Sequence, residues 1–371
     1  MKSFLIDSSK GGFTTPFSVI IPEINSSIRT VEWKNNKVIM IDQTQLPNQL
    51  VFVEYDDYNQ VADAIRNLVV RGAPAIGVSG AFGLALAAVK SDSKTKDDLL
   101  LDLQEAKKIL FETRPTAVNL AWGLEQIMTV AQTGNSVEEI KSRVIEESNK
   151  MADRDIETNK TMGKFGAALF DNNDTVMTHF NAGALATVSY CTSMGVIRAA
   201  KDSGKNVKVI ATETRPIQQG SRLTAFELKH DGFDVSLIPD TAVGYSMSNG
   251  LVDKVIVGAD RIVRTGHVFN KIGTFQVATM AKQHNIPFYV AAPLSTFDMK
   301  TDAKDVIIEM RKGIEVTGTG DNKTAPDGIN VINPSFDMTP PELISGIITE
   351  KGVVKPPFEE SIKKLFISKN E

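Results

Sequence analysis

The sequence predicts an α/β protein. It has a smaller, mainly helical N-terminal domain with a short β-hairpin, then a doubly wound, mostly parallel sheet domain. Three observations lead there. From Asp174 onward, short apolar β-branched runs alternate with helical patterns, as in parallel strands covered on both faces. Before that point the apolar spacing is almost all helical. A chain of 371 residues suits about two domains. The expected divisions are an extension over 1–26, an N-terminal domain with its connecting helix over 27–150, and the sheet domain over 151–371.

Residues 1–26 carry Ser, Gly and two prolines and read as an arm outside the core. Over 28–55 the pattern alternates, and Asn35-Asn36 between two short strands is a hairpin signal. A helix from Tyr58 to Val70 follows, with Val61, Ala64, Ile65, Leu68 and Val69 on one face. Arg71-Gly72-Ala73-Pro74 breaks it and starts another, because proline suits the first helical turn. Gly77, Gly80 and Gly83 leave that helix thin on one side, for a close helix neighbour or as part of an anion seat with Arg71. A helix over Asp97–Phe111 precedes Arg114-Pro115, expected to start a second proline-led helix. The polar stretch from Ser136 to Leu169 reads as a connecting helix.

The alternation then begins. DTVMTHF, VKVIATE, DVSLIPD, KVIVGAD and PFYVAAP read as strands, and the segments between them as helices. One such helix is expected over NAGALATVSYCTSMGVIRAAKDSG, which would place Cys191 on it, about 16 Å beyond Phe180. The strands end at Phe180-Asn181, Glu213, Asp240, Asp260 and Ala292, one edge of a Rossmann-like sheet, where ligands bind. Residues 294–371 read as a tail packed over the sheet.

The chemistry concentrates in KVIVGADRIVRTGHVFNK. A strand ends on Asp260, a loop of Arg264, Thr265, Gly266 and His267 follows, and Asn270-Lys271 are expected to open the next helix. A carboxylate, an ammonium and a helix start within a dozen residues suit an anion and a proton. Asp240 suits either a substrate hydroxyl or a helix cap.

Composition excludes several classes. Net charge is −4, from 41 basic and 45 acidic residues, so no nucleic-acid partner is expected. A single cysteine, Cys191, rules out an intrachain disulfide and fits a reducing, cytoplasmic setting. Four histidines without paired cysteines or an HExxH pattern give no metal site. No apolar run is expected to reach the ~18 residues of a membrane helix, and no signal peptide is read at the N-terminus. GxGxxG, GxxxxGK[ST] and nucleophile-elbow patterns are missing, which disfavours a dinucleotide-dependent dehydrogenase and leaves no cofactor.

Several blocks together resemble one family: VRGAPAIGV, ETRPTAVNLAWGL, THFNAGALAT, ETRPIQQGSRLTAFEL, VIVGADRI, NKIGT and PFYVAAPLSTFD. They look like methylthioribose-1-phosphate isomerase, an aldose–ketose isomerase of methionine salvage related to the regulatory subunits of translation initiation factor 2B. The resemblance runs from about residue 28 to about 357. It implies a homodimer acting on a sugar phosphate. Arg71, Gly72, Ala73 and Arg114 would hold the substrate from the N-terminal domain, and Gln219, Asn270 and Lys271 from the sheet domain. Asp260 would be the proton donor, kept in a dry pocket where a carboxyl's pKa is raised. The family carries a cysteine where this chain has Phe180, and that cysteine is regarded as the catalytic partner of the aspartate. The alternatives are therefore an isomerase working through Asp260 alone, one for a related pentose 1-phosphate, and a binding or regulatory protein like the initiation-factor subunits.

Overall fold

The computed structural model describes residues 29–367 apart from 116, 320 and 321. The expected N-terminal extension lies outside the described residues. The chain divides into two compact units. One holds residues up to Glu157 together with Ala184–Cys191; the other holds Thr158–Gly183 and Thr192 onward.

In the first unit β1 (Val31–Lys34), β2 (Lys37–Ile41) and β3 (Phe52–Tyr55) form an antiparallel meander. Asn35 and Asn36 both take positive φ, 53° and 57°, which a two-residue turn between twisted strands requires. Helix α1 (Tyr58–Arg66) is capped by Asp57, which accepts from the Asn59 N–H. It stops short of the expected Val70, and Leu68 turns to φ 62°. Around α2 (Ala73–Lys90) pack α3 (Lys96–Glu112) and α4 (Val118–Gln132), and α5 (Val137–Ala167) follows. Helix α2 corrects the expectation of no membrane-length apolar run. It has 18 residues with mean hydropathy 1.5, enough to span a bilayer by length and composition. Yet 78% of it is buried inside the protein, the pattern of a core helix apolar all round. Its glycines serve that packing: a Cβ at Gly77 would stand 2.8 Å from the Asn119 carbonyl oxygen, and one at Gly123 of α4 2.6 Å from that of Gly77. Pro115 does not lead α4, which starts after Ala117.

The second unit is built on a seven-stranded sheet. Its strands are β4 (Thr175–Thr178), β5 (Lys208–Thr212), β6 (Asp234–Ile238), β7 (Lys254–Val257), β10 (Phe288–Ala291), β15 (Gly346–Thr349) and β16 (Gly352–Val354). The order is β16-β15-β10-β7-β4-β5-β6, parallel except for β16 at the edge. Between them run α6 (Ser193–Asp202), α7 (Ala225–His230), α8 (Val243–Ser248) and α9 (Thr274–Gln283). The five strands expected from the sequence are all present. The C-terminal stretch, expected as a covering tail, instead extends the sheet with β15 and β16. It also contributes β14 (Phe336–Thr339) to a second sheet with β8 (Arg261–Val263), β9 (Val268–Lys271) and β11 (Phe297–Asp298). Short α10 (Ile314–Thr317), the pair β12 (Gly318–Thr319) and β13 (Asn322–Lys323), and α11 (Phe358–Ile367) complete it.

The long helix expected after Phe180 is also corrected. Only Ser193–Asp202 is α-helical; before it, Ala184–Ala186 makes a single tight turn, and Tyr190 and Cys191 take positive φ, 65° and 87°. Cys191 therefore precedes the helix. Polar anchoring explains the irregular path within the first unit. The Thr30 hydroxyl donates to the Ala184 carbonyl at 2.6 Å and the Gln43 amide to the Leu185 carbonyl at 2.8 Å.

Candidate functional site

The switch point of the second unit's sheet lies between β4 and β7. Successive strands run outward from β4 through β5 to β6, and the chain then returns to β7 on the other side of β4. In open α/β sheets the crevice forms at such a reversal, outside the carboxyl ends of the strands. Phe180 is two residues past β4 and Asp260 three past β7, so both stand there.

Asp260 owes its position to a hairpin that the sequence reading takes for a loop and a helix start. Strands β8 and β9 pair antiparallel, with Arg261 opposite Phe269. The Asp260 N–H donates to the Phe269 carbonyl at 3.0 Å. Asn270 and Lys271 thus end a strand, and α9 begins only at Thr274. The misreading has a physical cause: Val268-Phe269-Asn270-Lys271 is too short to show a period of two. Gly273, at φ 101°, makes the turn into α9; a Cβ there would stand 2.9 Å from the His179 ring. Asn270 is buried and donates to the Thr274 hydroxyl at 3.0 Å. Lys271 is also buried, and its Nζ lies 5.3 Å from the centroid of the Phe180 ring and 4.8 Å from that of Phe336. Asp260 itself is exposed, not enclosed in a dry pocket. The backbone leaves β7 at Gly258 and turns directly into the hairpin.

Phe180 takes φ 70°, a conformation uncommon for any residue with a Cβ and costly for a bulky one. Two buried threonines hold it: the Phe180 N–H donates to Thr214 Oγ1 at 2.8 Å, and the Thr224 hydroxyl donates to the Phe180 carbonyl at 2.6 Å. A hydrogen-bond chain continues from Thr214. Its Oγ1 lies 3.2 Å from Thr212 Oγ1, which lies 2.7 Å from His179 Nδ1, while His179 Nε2 is 2.9 Å from the Ile272 carbonyl. A carbonyl only accepts, so Nε2 carries the proton and Nδ1 accepts from Thr212. Burial holds the His179 pKa below its ordinary 6.5, consistent with this neutral form. The two strand-end loops, at Phe180 and at Ile272, are thereby tied together.

Gln219 follows β5. Its side chain is buried, and Oε1 has no hydrogen-bond partner among the described residues. Gly220 sets it in place, since a Cβ there would overlap the Thr212 carbonyl oxygen at 1.8 Å. Asp240 does not cap the helix that follows it: its carboxylate accepts from the Thr214 N–H at 2.8 Å and the Arg215 N–H at 2.7 Å. Asp337 was not foreseen. It accepts from the Gly273 and Phe275 N–H groups at 2.7 and 3.1 Å, holding the start of α9. Burial raises its pKa to about 6, against the pull of those bonds and of nearby Lys271. No signal in SFDMT marks Asp337, because its partners are more than 60 residues away in sequence.

Arg71, Gly72, Ala73 and Arg114 lie in the first unit. Arg71 is buried, directly before the Gly72 that precedes α2, and Pro74 stands in the first turn. Gly72 takes φ 90°, and a Cβ on it would meet the Ala186 backbone at 2.3 Å. The first-turn N–H groups of α2 have no intrahelical acceptor, and the helix dipole favours an anion there. Arg114 is half-buried between α3 and α4.

The initiation factor 2 subunit family matches residues 69–356. Methylthioribose-1-phosphate isomerase of Thermosipho africanus is 52% identical over 338 residues, which are 91% of this chain and 98% of its own. The crystal structure of 5-methylthioribose 1-phosphate isomerase from Pyrococcus horikoshii OT3 is similar at TM-score 0.88 and 44% identity, over 94% of this chain and 100% of that one. The crystal structure of translation initiation factor eIF-2B subunit delta from A. fulgidus is similar at TM-score 0.86 and 50% identity, over 91% and 99%.

Proposed function

The chain belongs to the methylthioribose-1-phosphate isomerases of the initiation factor 2 subunit family, and we propose that it converts 5-methylthioribose 1-phosphate to 5-methylthioribulose 1-phosphate in methionine salvage. The observation that supports this most is the β8–β9 hairpin. It brings a carboxylate, a carboxamide and an ammonium, Asp260, Asn270 and Lys271, to one strand end at the sheet's switch point.

The reaction needs those groups. Phosphate on the anomeric oxygen blocks ring opening by simple mutarotation. The ring oxygen must take a proton as its bond to C1 breaks, and Asp260 donates it. Hydrogen then moves from C2 to C1. Phe180 carries no base to abstract it as a proton, so it moves as hydride, and the C2 hydroxyl gives its proton to the Asp260 carboxylate as the ketone forms. One carboxyl thus donates once and accepts once, and the protons balance. Arg71, Arg114 and Lys271 bind the phosphate, which stays attached throughout, so its binding energy is available in the transition state. Gly72 and Ala73 present backbone N–H groups to it, and Gln219 and Asn270 bind sugar hydroxyls. The enzyme works in the cytoplasm as a homodimer, as the family resemblance implies; light scattering of the pure protein reads the dimer.

A second reading rests on Phe180: a binding protein of the kind named for the A. fulgidus structure, with the activity lost along with the thiol. Turnover of methylthioribose 1-phosphate by wild type and Phe180→Cys separates the two. An active wild type supports the isomerase. An inert wild type with an active Phe180→Cys supports the binding protein. Activity of wild type only on another pentose 1-phosphate moves the substrate.

A further inference from the structure

The structure places an aromatic ring, not a reactive group, beside the one buried lysine of the hairpin. We propose that Phe180 is a positioning residue for Lys271: with Phe336 it holds the ammonium by its ring faces where the substrate's anion binds. This rests on the isomerase reading only for the identity of that anion.

Three features carry it. Nζ of Lys271 lies over both rings, at 5.3 Å and 4.8 Å from their centroids, within the range of a cation–π attraction. A lysine ammonium on a flexible four-carbon stem otherwise has many positions. Lys271 is nonetheless buried, so removing the rings leaves a buried charge with fewer compensating contacts. The Phe180 backbone is held in a left-handed conformation that bulky side chains avoid: its N–H donates to buried Thr214 and its carbonyl accepts from buried Thr224. Phe336 is set independently, in β14 directly opposite Lys271 of β9. The two rings thus reach one ammonium from different parts of the chain.

The chemistry separates this from a filling role. Leucine supplies comparable apolar bulk but no ring quadrupole, whereas tyrosine keeps the ring. The test measures KM and kcat for methylthioribose 1-phosphate in wild type, Phe180→Leu, Phe180→Tyr and Phe336→Leu. It also measures the NMR shift of the Lys271 ε-CH2 protons without substrate. Expected are a KM raised about threefold to tenfold in each leucine variant, kcat within about twofold, and near wild-type KM in Phe180→Tyr. The ε-CH2 protons shift upfield by the ring currents in wild type and return toward the ordinary lysine position in each leucine variant. Unchanged KM in both leucine variants of an active enzyme overturns the proposal and leaves the isomerase reading intact. If wild type turns over neither methylthioribose 1-phosphate nor another pentose 1-phosphate, the isomerase reading fails. The proton shift then decides alone, and its absence in wild type overturns the proposal. Phe336→Leu supplies the answer if a Phe180 variant does not fold.

Discussion

The candidate binding residues of the two units are held in opposite ways. In the first unit Arg71 stands before a helix whose start is written locally: a glycine at φ 90°, then a proline in the first turn. In the second unit a local hairpin is not enough to set Asp260, Asn270 and Lys271: β14 pairs across it and Asp337 caps the helix that follows, both from more than 60 residues on. The first unit holds its candidate residues by local sequence alone. The second gathers its candidate residues at a sheet edge through a hairpin and through contacts distant in sequence. A local design fails when its backbone is disturbed; a distributed one loses chemistry at one residue and stability at many.

The largest expected effect is on chemistry. Asp260→Asn removes the only carboxyl assigned to proton transfer, and kcat is expected to fall by about 10²–10⁴. Because Asp260 is exposed, stability is expected to stay within about 0.5 kcal/mol, as read by urea unfolding beside the rate. A drop in both would mean that Asp260 holds the hairpin rather than the reaction.

Gly72→Ala tests the local design. The new methyl group meets the Ala186 backbone at 2.3 Å in a conformation only glycine takes easily. A loss of about 2–3 kcal/mol is expected, with KM for the phosphorylated substrate raised because Arg71 is displaced. A loss of stability with unchanged KM would separate Gly72 from binding.

His179→Asn tests the distributed design, since the shorter side chain cannot bridge Thr212 and the Ile272 carbonyl together. Stranding either group in the interior costs about 1–3 kcal/mol. KM is expected to rise as well, because the loops carrying Phe180 and Lys271 are no longer tied. Unfolding curves and substrate kinetics on the same sample read both.

This contrast also explains what was legible in the sequence. The five central strands, the connecting helix and the Asn35-Asn36 turn follow from patterns a few residues long, and all are found. The candidate residues on strand ends were legible for the same reason, since parallel strands share an edge. What escaped depends on distant partners. Val268–Lys271 lies between its hairpin neighbour β8 and β14, which pairs with it from more than 60 residues on. Residues 184–191 leave the helical path because Thr30 and Gln43 bind their carbonyls. Thr214, Thr224, Phe336 and Asp337 have no spacing that marks them, yet they fix Phe180, Lys271 and the start of α9.

The smallest expected effect is a change of pH slope at Asp337. Its carboxyl is raised from 3.8 to about 6 by burial. Between those values the folded state holds a proton that the unfolded state has released. Stability from this group is therefore present in acid and falls as pH rises through about 6. His179 acts in the opposite direction. Burial lowers its pKa from 6.5, so the unfolded state binds a proton that the folded state refuses, and stability falls as pH drops below 6.5. In wild type the two slopes oppose each other. Asp337→Asn keeps one acceptor for the α9 cap and removes only the first slope. On going from about pH 7.5 to about pH 5 the variant is expected to lose roughly 1 kcal/mol relative to wild type. Chemical unfolding at the two pH values measures that difference, in which the titrations of all other groups cancel. Parallel pH dependences would mean that Asp337 stays ionised in the fold, and that its bonds to Gly273 and Phe275, with the charge of Lys271, outweigh its burial.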